Sequence, residues 1–191
     1  MTSAETSDAI SLAYQGMLIR SDLIQYSFSL RSSTFSAKEA SDLVGWLAQE
    51  FTLGRCNWFA SAISSMIGRE NHIGFFHPDG HLLHAVVATA PQYGGELRGH
   101  GCDILGRRTL SRIASEMAEI NPAFTMEIGD RIADPEFGQG EMEALIDLAG
   151  ELPWTAHLVG RSPSAPDGHR LLDISCRLGM PAVTAVPQHS L

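Results

Sequence analysis

The spacing of apolar residues changes abruptly at Gly68, and this change restricts the folds open to the chain. Before Gly68, apolar residues recur at intervals of three and four from Cys56 onward, which is the pattern of a buried helix. After it, three short segments at 73–76, 82–89 and 97–105 are partly β-branched and are separated by turn sequences rich in glycine. The sequence therefore predicts an α+β fold, in which the helix packs on a small antiparallel sheet.

Further helices are predicted on both sides of this core. Ser36 and Glu39 form a capping box, because each side chain is spaced to accept a free amide proton of the first helical turn. The region between 121 and 140 is expected to be loop. We treat the chain as a single domain with a helical part at 1–50, a core at 51–120 and an extension at 121–191. The flanking helices are predicted as one or two in the first thirty residues, then 37–51, 109–120, 141–149 and 169–178.

Charge and composition exclude several classes of protein. The 191 residues carry 13 basic and 22 acidic side chains, and 13 minus 22 gives a formal charge of −9. The longest basic cluster is Arg107-Arg108, so the chain lacks the phosphate-neutralising surface on which nucleic-acid binding depends. Its apolar runs are far shorter than the roughly 20 residues that cross a bilayer. We therefore expect no nucleic-acid or membrane partner.

Three cysteines at wide spacing suggest free thiols in a reducing compartment. Cys56, Cys102 and Cys176 are an odd number in a chain long enough to fold without disulfides. The segment 1–10 contains Glu5 and Asp8 and has neither the basic nor the apolar part of a secretory signal. A cytoplasmic protein is predicted, although export without a signal peptide would also be compatible with this sequence.

Cys56 is the candidate nucleophile. A cysteine attacks as its thiolate, which is favoured at the start of a helix, where unpaired amides and the helix dipole attract negative charge. The sequence Gly54-Arg55-Cys56 places a flexible residue and a cation directly before the sulfur. The apolar helix that follows would hold the sulfur rigidly.

His84 and Asp103 are the candidate partners of Cys56. Nucleophilic catalysis by a thiol needs a nearby base, and a third group that fixes the orientation of the imidazole. His84 lies near the start of the predicted strand 82–89, and Asp103 lies in the next strand along the chain. An antiparallel meander would bring these two strands together.

The residues from 54 to about 118 resemble the papain-like cysteine peptidase superfamily. The resemblance consists of Gly-x-Cys opening a helix at Cys56, His-Ala-Val-Val after an Asp-Gly turn at His84, and Asp-x-x-Gly at Asp103. The order Cys, His, Asp is also found in the NlpC/P60-type amidase and transglutaminase-like branches. The resemblance implies a nucleophile at Cys56, a base at His84 and an orienting carboxylate at Asp103.

The resemblance also implies a thiol-dependent amide hydrolase, either a peptidase, an amidase or a deamidase, with a protein or peptide substrate. Gln49, seven residues before Cys56, is the candidate for the glutamine that stabilises the oxyanion in papain-type enzymes. Backbone amides at Cys56 are the alternative oxyanion donors. A catalytically inactive relative that serves as a binding or adaptor module is the alternative function.

The spacing of the histidines does not indicate a metal site. Five histidines lie close together in the sequence beside Cys102 and Asp103, but their spacing matches no common zinc pattern. The glycine-rich segment 94–101 lacks the lysine of a phosphate-binding loop. We therefore expect neither a metal nor a cofactor. The arginines Arg107, Arg108 and Arg112 are interpreted as a solvated helix start, and the five histidines are His72, His77, His81, His84 and His100.

Overall fold

A five-stranded antiparallel sheet positions the candidate residues. The computed structural model describes residues 12–94, 96–129, 132, 135–138, 140–164 and 167–179, with the backbone alone at 90–94, 96 and 97. The strands are β1 (His72–Phe76), β2 (Leu82–Gly94), β3 (Glu96–Asp103), β4 (Gly106–Thr109) and β5 (Thr125–Ile128), and they lie in the order β4-β3-β2-β1-β5. The predicted antiparallel sheet is confirmed.

Seven α-helices surround this sheet in the part of the chain that the structure describes. Helix α4 packs mainly on β2, and α6 packs on α4 from the other side. The predicted α+β class, with a cysteine-bearing helix on the sheet and flanking helices, is therefore confirmed. The helices are α1 (12–19), α2 (Asp22–Ser33), α3 (Ala37–Gln49), α4 (Cys56–Ile67), α5 (Leu110–Ile120), α6 (Glu141–Glu151) and α7 (Gly168–Arg177).

Local signals set the bounds of α3 and α4. The predicted capping box is present, since the Glu39 amide donates to the Ser36 hydroxyl at 3.2 Å and the Ser36 amide donates to Glu39 at 2.9 Å. Helix α4 ends at Gly68, where φ is +119°, a conformation that side-chain-bearing residues rarely adopt. Both boundaries could be predicted because they depend on neighbouring residues.

The chain between α3 and α4 differs from the sequence prediction. Helix α3 ends at Gln49, and a turn of π-helix over Glu50–Gly54 leads directly into α4. The Arg55 amide closes this turn on the Glu50 carbonyl at 2.7 Å. Arg55 ends this wider turn and is also the N-cap residue of α4, so α4 begins at Cys56.

The sequence predicted a loop between 121 and 140, but part of this region is a strand. Residues 125–128 form β5, which pairs antiparallel with β1 at the sheet edge. Strand β5 alternates polar and apolar residues, but it is only four residues long and partly exposed, which is too short for the alternation to mark a strand in sequence. Its stability comes from pairing with β1 and from the ring of Phe124, which packs against Phe75 at 5.7 Å.

Helix α5 covers the face of the sheet that carries the candidate histidine. A side chain at Gly101 would collide with Val86 and with Ile113 of α5, so these groups share one face. His84 lies two residues before Val86, and Asp103 lies two after Gly101, so both point to that face. No helix in the described ranges is long and apolar enough to span a membrane.

Candidate catalytic site

Cys56 occupies the first position of α4, as predicted. Cys56 is 6% exposed, and the side chain of the N-cap residue Arg55 makes no capping hydrogen bond to this first helical turn. The guanidinium of the preceding Arg55 is engaged by three other groups. Its Nε lies 2.8 Å from Glu50 Oε1, its Nη1 donates to the Leu178 carbonyl at 3.1 Å, and its guanidinium stacks over Trp58.

His84 connects Cys56 to Asp103. The imidazole is 1% exposed, and its Nε2 lies 2.8 Å from Asp103 Oδ2. The Cys56 thiol lies close enough to the same ring to contribute to the rise of its pKa. The buried Nδ1 has no hydrogen bond of standard geometry, so it is the nitrogen left to exchange a proton with the sulfur. Hydrogen bonds between catalytic groups are commonly loose in the absence of substrate.

Asp103 is held at each of its oxygens. Its Oδ1 accepts from the Leu105 amide at 2.8 Å, and its Oδ2 faces His84 and also accepts from Arg108 Nη2. The indole nitrogen of Trp154 donates to the Asp103 carbonyl at 2.8 Å. With only 2% of the residue exposed, the carboxylate has little freedom to turn away from His84.

Arg108 is the residue that the sequence interpretation missed. It lies on β4 opposite Gly101, points into the protein and is 6% exposed, whereas its neighbour Arg107 is exposed. Its Nη1 donates to Glu116 of α5 at 2.6 Å. The interpretation of Arg107, Arg108 and Arg112 as a solvated helix start is therefore wrong for Arg108, because 106–109 is a strand whose side chains alternate between solvent and interior.

The surroundings of His84 and Asp103 favour a charged pair. Burial alone would lower the pKa of His84, but the hydrogen bond with Asp103 and the proximity of Cys56 outweigh it and raise that pKa to about 9. Burial alone would raise the pKa of Asp103, but the charge of Arg108 and the bond to His84 hold it below its usual value. At neutral pH the pair is therefore imidazolium and carboxylate.

Gln49 is not brought to the other candidates. It is the last residue of α3 and its side chain is exposed. None of the hydrogen bonds found among the described residues joins it to Cys56 or His84. The first-turn amides of α4 are therefore better placed as oxyanion donors than Gln49.

The histidines do not gather around one point. His77 pairs with Asp79 at 2.7 Å in the turn before β2, while His72 and His100 lie on β1 and β3. Within the described ranges, no three His, Cys, Asp or Glu side chains are arranged as ligands of one metal ion. His84, which interacts with Cys56, is already hydrogen-bonded to Asp103.

A cavity of about 320 Å³ has none of Cys56, His84 and Asp103 among its lining residues. Trp154 lines this cavity, and its indole nitrogen donates to the Asp103 carbonyl. The Cys56 sulfur is not part of this cavity. The lining residues are Asp22, Gln25, Tyr26, Ser29, Pro153 and Trp154.

Comparisons of the chain with protein-family models, with curated proteins and with solved structures give no match.

Proposed function

We propose that the protein is a thiol-dependent amide hydrolase that forms an acyl-enzyme on Cys56. The observation that carries this proposal is the continuous connection from the thiol at the start of α4 through His84 to the buried carboxylate of Asp103. A thiol, an imidazole and an orienting carboxylate in this order are the groups that acyl transfer requires.

The first half of the reaction begins with the thiolate of Cys56 and the imidazolium of His84. The sulfur attacks the carbonyl carbon of the amide, and the carbonyl oxygen becomes an oxyanion near the first amides of α4. His84 then gives its proton to the departing nitrogen, the carbon–nitrogen bond breaks, and a thioester remains on Cys56. The raised pKa of His84 supports this step, because the imidazole carries the proton that the leaving amine needs.

The second half releases the acyl group. Neutral His84 takes a proton from water, and the resulting hydroxide attacks the thioester carbon. The carbon–sulfur bond breaks, the product leaves as a carboxylic acid, and Cys56 and His84 return to their charged forms. A peptide bond, a side-chain amide of glutamine and a simple amide would all follow these steps, so peptidase, amidase and deamidase activities belong to the same proposal.

A peptide mixture tests this proposal directly. The protein is incubated with peptides that contain glutamine, and mass spectrometry separates cleaved products from deamidated ones, which gain about 1 Da. We expect products with the wild-type protein and with Cys176→Ser, which changes an exposed thiol, but none with Cys56→Ala. An acid-quenched thioester on Cys56 would identify the intermediate. Equal product formation by wild type and Cys56→Ala would contradict the proposal.

An inactive binding module is the second candidate function. Its support is that Cys56 is only 6% exposed and does not line the described cavity. A module of this kind would keep the Cys56, His84 and Asp103 contacts as part of the core. It is favoured if the wild-type protein turns over no peptide and if Cys56 resists alkylation in the native state.

We further infer a protein or peptide substrate and a cytoplasmic location. All three cysteines are free, and two of them are buried without a partner thiol, which suits a reducing compartment. The net charge of −9 disfavours nucleic acid as a substrate.

A further inference from the structure

A buried row of charges lies behind Asp103 and has no role in the reaction proposed above. Arg108 of β4 donates through Nη2 to Asp103 and through Nη1 to Glu116 of α5, the latter at 2.6 Å. Glu116 is 2% exposed, and its other oxygen accepts from Arg112 at 3.3 Å. Two nitrogens of one guanidinium therefore join two carboxylates that come from different elements.

Buried charges of this kind are an unfavourable way to stabilise a core. Taking an arginine and two carboxylates out of water has a large desolvation cost, and apolar side chains of similar volume often stabilise a core better. Glu116 nevertheless holds the guanidinium in one orientation, with Nη2 directed at the oxygen of Asp103 that faces His84. The row is therefore better explained by what it does to Asp103 than by stability.

We propose that Arg108, oriented by Glu116, is a positioning residue that keeps Asp103 ionised and fixes it against His84 Nε2, so that Nδ1 faces the Cys56 sulfur. This inference rests on the proposed function. Without Arg108, the carboxylate would keep only the Leu105 amide and His84 as partners, and its burial would favour the neutral acid. A neutral Asp103 would no longer hold His84 as the imidazolium.

Several charged groups face this centre and contribute to its pH dependence. Glu116 and Arg112 approach Arg108 from α5, while Arg107 is the exposed neighbour of Arg108 on β4. The groups that act on the two titrating side chains, His84 and Asp103, are Cys56 from α4 and Arg108 from β4. Cys102 of β3 is affected by Asp103, and Asp22 of α2 acts on Cys102 and accepts from the Arg107 amide.

The three cysteines provide an internal assay. The protein is treated with iodoacetamide at a series of pH values, and mass spectrometry measures the alkylation of each cysteine separately. Cys176 is exposed and serves as the accessible reference thiol, while the buried Cys102 reports unfolding. Cys56 reports the charge state of its partner, since an imidazolium beside the sulfur favours the reactive thiolate.

Removing the charge of Arg108 should lower the reactivity of Cys56 in acid but not in base. In Arg108→Gln we expect the rate of Cys56 alkylation at about pH 6 to fall about tenfold below the wild-type rate. At about pH 9, where ordinary thiols ionise, the rate should approach that of the wild type. Arg112→Gln is the matched control, because Arg112 also contacts Glu116 but not Asp103. It should stay within about twofold of wild type.

Two more variants separate positioning from folding. Arg108→Gln/Glu116→Gln removes both charges together, so no unpaired carboxylate of Glu116 is left buried, and it should lose the acid reactivity of Cys56 with Cys102 still protected. Arg108→Lys restores the positive charge without the fork and should recover part of the rate at about pH 6.

The outcomes distinguish the two proposals. If wild-type Cys56 reacts no faster than Cys176 at acidic pH, the proposed nucleophile fails and the role of Arg108 fails with it. If wild-type Cys56 does react faster, but the folded double variant keeps the wild-type pH profile, the positioning role alone is overturned. A tenfold acid-specific loss in the double variant, with partial recovery in Arg108→Lys, would establish it.

Discussion

The start of α4 and the end of β3 each carry a buried cysteine, and the two thiols face different charges. Cys56 is 6% exposed and interacts with His84, whose pKa is raised to about 9. Cys102 is fully buried, and its thiol donates to the Trp154 carbonyl at 3.8 Å. Burial and then the charge of Asp103 raise the pKa of Cys102 to about 12.

Strand geometry accounts for this difference. Asp103 directs its carboxylate to the face shared with His84, and Cys102, one residue earlier, points to the opposite face. Cys102 is therefore close to the negative charge without access to the imidazolium that compensates it. Since both thiols are buried, burial alone does not distinguish them, whereas the interaction of Cys56 with His84 does.

The largest expected effect follows from removing the imidazolium of His84. In His84→Ala, alkylation of Cys56 by iodoacetamide at about pH 6 should fall about a hundredfold, because the thiolate loses its partner. Cys102 should remain unreactive. The rates are measured by site-resolved mass spectrometry, with His81→Ala as the control, since His81 is exposed in the turn before β2. A wild-type rate at Cys56 in His84→Ala would remove the distinction between the two thiols.

A smaller effect is expected when the carboxylate is neutralised. Asp103→Asn keeps the shape of the side chain but removes the charge that holds the imidazolium, so acid-range alkylation of Cys56 should fall about tenfold. The same change should release Cys102 from a nearby anion, although its burial remains. Arg108 would lose a buried partner, which destabilises the fold by on the order of 3 kcal/mol.

Urea unfolding of Asp103→Asn supplies the second measurement. A folded variant with slower alkylation of Cys56 supports an orienting role. Complete unfolding in the absence of urea would instead make Asp103 a structural residue of the β3–β4 turn, and the site would consist of Cys56 and His84 alone.

The raised pKa of His84 also predicts how stability depends on pH. Its pKa is about 9 in the folded protein against 6.5 as the ordinary value, so the folded state binds the proton more tightly. This contribution is fully present below about pH 6.5 and is lost as pH rises through about 9, for a total on the order of 3 kcal/mol. Urea midpoints at several pH values measure it. The decrease should be absent in His84→Ala, and an equal decrease in both proteins would assign it to other groups.

Local patterns in the sequence were sufficient for much of the fold. The switch in apolar period at Gly68, the capping box at Ser36 and the order of three residues predicted the helix α4, the sheet beside it and the candidate triad. Each of these signals depends on residues close together in the chain, or on the simple rule that neighbouring strands of a meander pair.

Non-local contacts explain what the sequence did not reveal. Strand β5 depends on pairing with β1, some fifty residues earlier in the chain. The burial of Arg108 depends on Glu116, eight residues later and on a different element. A prediction of residues 106–109 as a strand would have placed Arg107 and Arg108 on opposite faces. One of the two would then be buried, and a buried arginine requires a carboxylate partner. That requirement was the available signal for Glu116.

Trp154 provides the finest test, because it contacts the end of β3 at both residues of interest. Its indole donates to the Asp103 carbonyl, and its own carbonyl accepts from Cys102. Trp154→Phe removes the first bond and keeps the second, so we expect a loss of about 1 kcal/mol in urea unfolding and less than about a twofold change in alkylation of Cys56. Leu152→Ala, a nearby core change without such a bond, serves as the matched control for lost packing. If Trp154→Phe slows Cys56 as much as Asp103→Asn does, the backbone of β3, and not the charge on Asp103, determines which of the two thiols is reactive.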